Sequence, residues 1–271
     1  MSNPGGELAE RAGRLAARAD QVALCLDFDG TLSPIVPDPE AARPLEGMVE
    51  LLGQLAARYA AVALISGRPA EYLAIHANAP GVRYLGMYGL EEIVEGRVQV
   101  DPRLEGARPA VAAAARELAA DPAVTASGAH LEDKRYAVAV HTRRVADPDR
   151  WAGPISEAAS RIAAAHGLEV VPGKMVWELR PQVRSDKGDA VRRVLASSGA
   201  TILLVAGDDL GDLAAFAAAA QLAAKGGDTL RVAVRSAEAP ERLLADADLV
   251  VDGPPGLRDF LERLIARPSS S

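Results

Sequence analysis

The sequence predicts an α/β protein in which a doubly wound parallel sheet is interrupted by an inserted α+β module. Three observations predict it. Four short apolar runs, residues 22–26, 61–65, 201–205 and 231–234, are rich in β-branched residues, Ala or Leu and fit strands buried on both faces. Helical patterns alternate with them. The stretch from about Arg103 to Arg180 breaks that alternation and reads as helix-strand-strand, twice over.

Each element has its own signal. Leu8, Ala12, Leu15 and Ala19 make one apolar stripe at helical spacing, so an amphipathic helix precedes the first strand. Pro44 is placed to open a second helix whose apolar residues include Val49, Leu52 and Leu55. Strand 61–65 runs into a helix with Pro69 in its first turn. In the module, a helix over 109–120 precedes an alternating strand pair at 126–131 and 136–142. A helix over 149–166 then precedes a hairpin that pairs 168–171 with 175–179 around Pro172-Gly173. The expected domains are a Rossmann-like core, 1–102 and 181–271, and an insert, 103–180. The tail, 267–271, reads as disordered.

Composition excludes several function classes. Of 271 residues, 49% are hydrophobic and 25% charged, so a packed core is expected. Aromatics make up only 4%, so Ala, Val and Leu must build that core. The net charge of −7 argues against a nucleic-acid or anionic-membrane surface. No apolar run approaches the roughly 20 residues that span a bilayer. Residues 1–6 carry no basic segment followed by an apolar stretch, so no signal peptide is read there. A single cysteine, Cys25, forbids an internal disulfide, and the four histidines show no zinc-like spacing with it. The expectation is a cytoplasmic monomer acting on a small molecule.

The chemistry concentrates in four segments. Leu26-Asp27-Phe28-Asp29-Gly30-Thr31-Leu32 follows the first strand. Carboxylates at i and i+2 on the carboxyl end of a buried strand face the crevice where open α/β sheets bind ligands, and Gly30 allows a sharp turn there. Gly207-Asp208-Asp209-Leu210-Gly211-Asp212 follows a later strand. Three carboxylates in five residues repel one another unless a cation sits among them, and hard oxygen ligands suit Mg²⁺. Capping of the next helix by Asp208 or Asp209 accounts for one of the three. Ser66-Gly67-Arg68-Pro69 opens a helix, where Ser66 is either a simple N-cap or, with nearby N–H groups, a binder of a phosphate oxygen, and Arg68 is a substrate-binding candidate. Ser185-Asp186-Lys187-Gly188-Asp189 opens another, where Lys187 is either a surface lysine or, placed just after the module and before the Asp-rich loop, a positive charge for a phosphoryl group.

Together the four segments resemble the haloacid dehalogenase superfamily of phosphotransferases across nearly the whole chain. The resemblance implies a phosphatase core in which Asp27 is a nucleophile that becomes an aspartyl-phosphate and Asp29 is the general acid and base. It implies that Ser66 and Lys187 orient the phosphate. Asp27, the backbone carbonyl of Asp29 and Asp208 would form the Mg²⁺ site, with Asp209 and Asp212 on metal-bound waters.

The insert narrows the resemblance. Leu131-Glu132-Asp133-Lys134, Val140-His141-Thr142-Arg143 and the string from Gly173 to Pro181 place polar residues on alternate strand positions, with Trp177 opposite Glu178. Read physically, such a face is either a solvated charged surface or one suited to a sugar's many hydroxyls. The three strings resemble the cap of the trehalose-6-phosphate phosphatases. That implies disaccharide contacts from Glu132, Lys134 and Glu178, a phosphate-side contact from Arg143, and Mg²⁺-dependent hydrolysis of trehalose 6-phosphate, the last step of trehalose biosynthesis. The rivals are a phosphatase for another phosphorylated sugar and a silent sugar-phosphate-binding subunit. Tyr88 stands where the family commonly has His, Gly211 where it has Thr and Leu213 where it has Glu.

Overall fold

The central strands are buried on both faces because successive residues supply two different cores. In strand β1 (Val22–Leu26), Val22, Leu24 and Leu26 point to one side and Ala23 and Cys25 to the other. The sheet is completed by β2 (Ala61–Ile65), β3 (Arg83–Gly86), β4 (Glu91–Val94) and β5 (Arg97–Val100). In a computed structural model describing residues 4–236 and 239–266, four strands form a second sheet: β6 (His130–Asp133), β7 (Val138–His141), β8 (Leu168–Gly173) and β9 (Val176–Pro181). The chain then returns to the first with β10 (Ile202–Gly207), β11 (Asp228–Arg235) and β12 (Leu249–Asp252).

The first sheet has the order β12-β11-β10-β1-β2-β3-β4-β5. All its pairs from β12 to β3 are parallel, and β4 runs antiparallel to β3. The strand order reverses at β1, between β2 and β10. That is the switch point at which open α/β sheets bind ligands, outside the carboxyl ends of the strands. Helices Met48–Ala56 and Gly253–Ile265 cover one face through Leu52, Leu55, Phe260 and Leu264. Helices Lys187–Ser198 and Asp212–Ala224 cover the other through Val191, Val194, Ala215 and Phe216. Each fully buried Leu here, such as Leu24, contributes about 1.5–3 kcal/mol.

The second sheet is antiparallel, in the order β6-β7-β9-β8. One face packs on helices Arg108–Ala120 and Pro148–Ala165 through Val138, Val140, Leu179 and Trp177. The other carries Glu132, His141, Glu178 and Arg180. By contacts the chain divides into two units, one up to Gln99 and from Ser185, the other Val100–Arg184.

The α/β class with its separate antiparallel sheet is as expected, and several local readings are corrected. The first strand of the module starts at His130, not 126, because Asp121 caps a helix Pro122–Ser127 by accepting from the Ala123 N–H at 2.9 Å. The hairpin turns at Lys174-Met175 rather than Pro172-Gly173: Gly173 pairs with Val176, and Met175 takes the left-handed conformation. The second helix starts at Met48, after Gly47, so Pro44 lies outside it. Pro69 is the N-cap rather than an interior first-turn residue. Ala12 and Leu15 are buried as the first stripe requires, while the Leu8 side chain and the tail 267–271 lie outside the described residues.

Candidate active site

The parallel strands deliver three predicted segments to one edge, since Asp27 follows β1, Ser66 follows β2 and Asp208 follows β10. Lys187 comes from the helix packed beneath them. Asp186 caps that helix, accepting from the Asp189 N–H at 2.9 Å while Asp189 accepts in return from the Asp186 N–H. The cap fixes Lys187 in the first turn, where the helix dipole opposes a positive charge. Carboxylates offset that. Lys187 Nζ lies 2.7 Å from Asp27 Oδ1 and 2.7 Å from Asp212 Oδ1, with all three side chains buried.

Asp27, Asp208 and Asp212 lie with oxygens within 4.8 Å of one another. Asp212 has both oxygens engaged: Oδ1 accepts from Lys187, and Oδ2 accepts from the N–H groups of Asp208 at 3.0 Å and Asp209 at 3.1 Å. Asp27 Oδ2 and Asp208 Oδ1 share the Thr31 hydroxyl, at 3.3 and 3.2 Å. One hydroxyl proton cannot satisfy both. The backbone also closes tightly here, since Gly30 has φ 73° and a Cβ on it would fall 2.0 Å from Asp208 Oδ2.

The electrostatics follow from burial. Desolvation pushes the Asp27 carboxyl up to about 7, against the pull of Lys187, with Asp208 and Asp209 adding to the rise. Asp208 is pushed up to about 6 by burial and by its Asp212 and Asp209 neighbours. Asp212 reaches about 8 through burial and the Asp27 charge. Burial works against the Lys187 ammonium, but Asp27 and Asp212 outweigh it and hold the group above the ordinary lysine value. Three buried carboxylates against one ammonium leave excess negative charge and hard oxygen donors. That set fits a divalent cation.

The other predicted residues are placed as follows. The Asp29 carboxylate is held by Arg68, Nε to Oδ2 at 2.8 Å and Nη2 to Oδ1 at 2.7 Å, while Arg68 stacks over Tyr72 and donates to the Pro39 carbonyl. Ser66 is buried, and its Oγ accepts from the Arg68 N–H at 3.2 Å. Asp209 is largely exposed, 3.9 Å from Lys187 Nζ. On the second sheet, Lys134 Nζ donates to Glu178 Oε2 at 2.7 Å and lies 3.9 Å from Glu132 Oε2. Arg143 is exposed in the loop after β7. Two residues without an assigned role join these groups. Thr31 bridges two carboxylates, and His141 Nε2 lies 2.8 Å from Glu132 Oε2. The hydroxyl four residues after Asp27 was visible as a signal, whereas the His141–Glu132 contact depends on strand register.

The family model described as trehalose-phosphatase matches residues 25–246, spanning every segment above. The chain belongs to the trehalose-phosphatase family. A trehalose-phosphate phosphatase from Mycobacterium avium (strain 104) is 38% identical over 251 residues, 89% of this chain and 61% of its own length. The chain thus spans about three fifths of the curated trehalose-phosphatase relatives it matches. A crystal structure of a trehalose-6-phosphate phosphatase related protein covers 90% of this chain and 96% of its own, with TM-score 0.68 at 24% identity. A haloacid dehalogenase-like hydrolase from Bacteroides thetaiotaomicron covers 89% and 98%, with TM-score 0.60 at 19% identity. Both likenesses are of fold. Among the described residues, no helix is long and apolar enough to cross a membrane.

Proposed function

We propose that the protein hydrolyses trehalose 6-phosphate to trehalose and phosphate, with Mg²⁺ and through an aspartyl-phosphate on Asp27. The observation that carries this is the buried Asp27 carboxylate, with Lys187 Nζ 2.7 Å from Oδ1 and the Thr31 hydroxyl shared between Oδ2 and Asp208. A carboxylate is a poor nucleophile toward a phosphate dianion until positive charge neutralises both. Lys187 supplies one such charge. Asp27, Asp208 and the Asp29 carbonyl would hold Mg²⁺, which when bound supplies the rest and polarises the phosphoryl group.

The steps then balance. An Asp27 oxygen attacks phosphorus, the bond from phosphorus to the sugar oxygen breaks, and Asp29, protonated from solvent once free of Arg68, gives that proton to the leaving alkoxide. Asp29, now a carboxylate, takes a proton from water as that water attacks phosphorus, releasing phosphate and restoring Asp27. Asp29 must leave Arg68 to do this, and the phosphate dianion is a competing anion for that guanidinium. Ser66 and Lys187 orient the phosphate oxygens. Glu132, Lys134 and Glu178 read the disaccharide hydroxyls, with Arg143 contributing on the phosphate side. Domain roles follow: residues 1–102 and 181–271 carry the chemistry and 103–180 the sugar recognition.

A panel of sugar phosphates at fixed Mg²⁺ tests the reading. Trehalose 6-phosphate should give the highest kcat/KM. A higher value for sucrose phosphate or a glycosylated glycerate phosphate would move the assignment to that substrate.

A further inference from the structure

The loop after β3 contains two consecutive non-glycine residues in the left-handed region, Met87 at φ 49° and Tyr88 at φ 57°. Such residues take that conformation only where the surroundings impose it, and such strain clusters at functional sites. Here it turns two successive N–H groups onto one neighbouring loop. Met87 N–H donates to the Arg68 carbonyl and Tyr88 N–H to the Ser66 carbonyl, both at 2.9 Å. The Tyr88 ring stands over the residue between them, because a Cβ on Gly67 would lie 2.8 Å from the phenol oxygen. On its other side, the Tyr88 carbonyl accepts from Ser185 Oγ at 2.8 Å, two residues before Lys187. Arg193, on the same helix as Lys187, donates to the Gly89 carbonyl.

One short loop therefore grips both the Ser66–Gly67–Arg68 turn and the Lys187 helix. If the loop served only to finish β3, the backbone need not be strained toward these two segments in particular.

We propose that Tyr88 is a positioning residue for phosphate recognition, setting the Ser66 turn and Lys187 at the spacing a phosphoryl group requires. The proposal rests on the reading of Ser66 and Lys187 as phosphate-orienting groups, and its test does not depend on the sugar. The experiment uses the full chain with p-nitrophenyl phosphate as substrate and inorganic phosphate as competitive inhibitor. Wild type is compared with Tyr88→Ala, Tyr88→Gly and Tyr88→Phe, and melting temperatures are recorded.

The Ala and Gly variants should both bind inorganic phosphate about 10- to 100-fold more weakly, with KM rising in step, since misplacement of about 1 Å can cost a factor of that size. The Mg²⁺ concentration for half-maximal rate should change less than the phosphate affinity, because the loop reaches the cation ligands only through Arg68 and Lys187. Tyr88→Gly should melt above Tyr88→Ala, since glycine takes the left-handed conformation freely. Tyr88→Phe should restore most of what Tyr88→Ala loses, because the ring braces Gly67. Unchanged phosphate affinity in both ringless variants would overturn the proposal, as would a Mg²⁺ requirement that shifts in parallel with it. So would a Phe variant as impaired as Ala, which would make the hydroxyl a direct ligand. If wild type fails on trehalose 6-phosphate yet binds inorganic phosphate in this pattern, the substrate assignment falls and the role of Tyr88 stands.

Discussion

Lys187 sits between two buried carboxylates, 2.7 Å from each, and that placement makes its removal a pH-dependent loss. Lys187→Met strands the Asp27 and Asp212 charges, and breaking a buried pair costs about 3–5 kcal/mol. Even with Lys187 in place both carboxyls are raised, to about 7 and about 8, so at pH 5 they already carry protons and there is little charge to strand. Urea unfolding should show the larger destabilisation at pH 8 and a clearly smaller one at pH 5; equal losses at the two pH values would contradict the charged arrangement. Asp29→Asn should cut turnover severely, since the leaving alkoxide loses its proton donor, while the melting temperature changes little. Steady-state hydrolysis near the wild-type rate would remove Asp29 from that role. The acidic residues of the site were legible in the sequence because Asp27, Asp29 and Asp208 occur in short strings at strand ends. What could not be read was how Asp212 uses its oxygens, because that depends on a lysine 25 residues away and on two backbone N–H groups.

Among the elements, the second sheet shows where period-two reading succeeds and where it stops. Trp177 and Leu179 join the apolar face while Glu178 faces away, as strand alternation requires. The start of β6 was not legible, because the Ala-Ser pair at 126–127 suits either helix or strand and the Asp121 cap decides for helix. β12 escaped notice because a run as short as Leu249-Val250-Val251 has no period of its own. β4 and β5 were not legible because each is only four residues long and carries charged residues. The Lys134–Glu178 contact yields a prediction at this scale. Hydrogen bonds to charged groups are worth about 1.5–3 kcal/mol, so Glu178→Ala should lower kcat/KM for trehalose 6-phosphate by roughly 10- to 150-fold. The value for p-nitrophenyl phosphate, which lacks the sugar, should change little. If the two fall equally, the charged face supports the unit rather than the sugar.

For the whole molecule, the cluster links folding to protons and to the cation. Asp27, Asp208 and Asp212 bind protons more tightly in the folded chain than in the unfolded one, where they return to the usual range near 4. In the absence of a divalent cation, stability contributed by these groups is therefore greatest at low pH. It is lost as pH rises from about 4 to about 8. A cation that takes the place of those protons should raise the melting temperature more at pH 8 than at pH 5.5. An equal shift at both pH values would place the cation elsewhere. The doubly wound sheet was legible as a class because its central strands are apolar on both faces, and the β1 switch point it creates is where the four motif segments gather or abut. The proposed role of Asp27 as the nucleophile of a cation-dependent phosphatase is tested by phosphate release from trehalose 6-phosphate, measured for wild type and Asp27→Asn with Mg²⁺ and with excess chelator. Rapid release is expected only from wild type with Mg²⁺, with a loss of several orders of magnitude in the variant. Release by Asp27→Asn above about a tenth of wild type, or full activity in chelator, would contradict it.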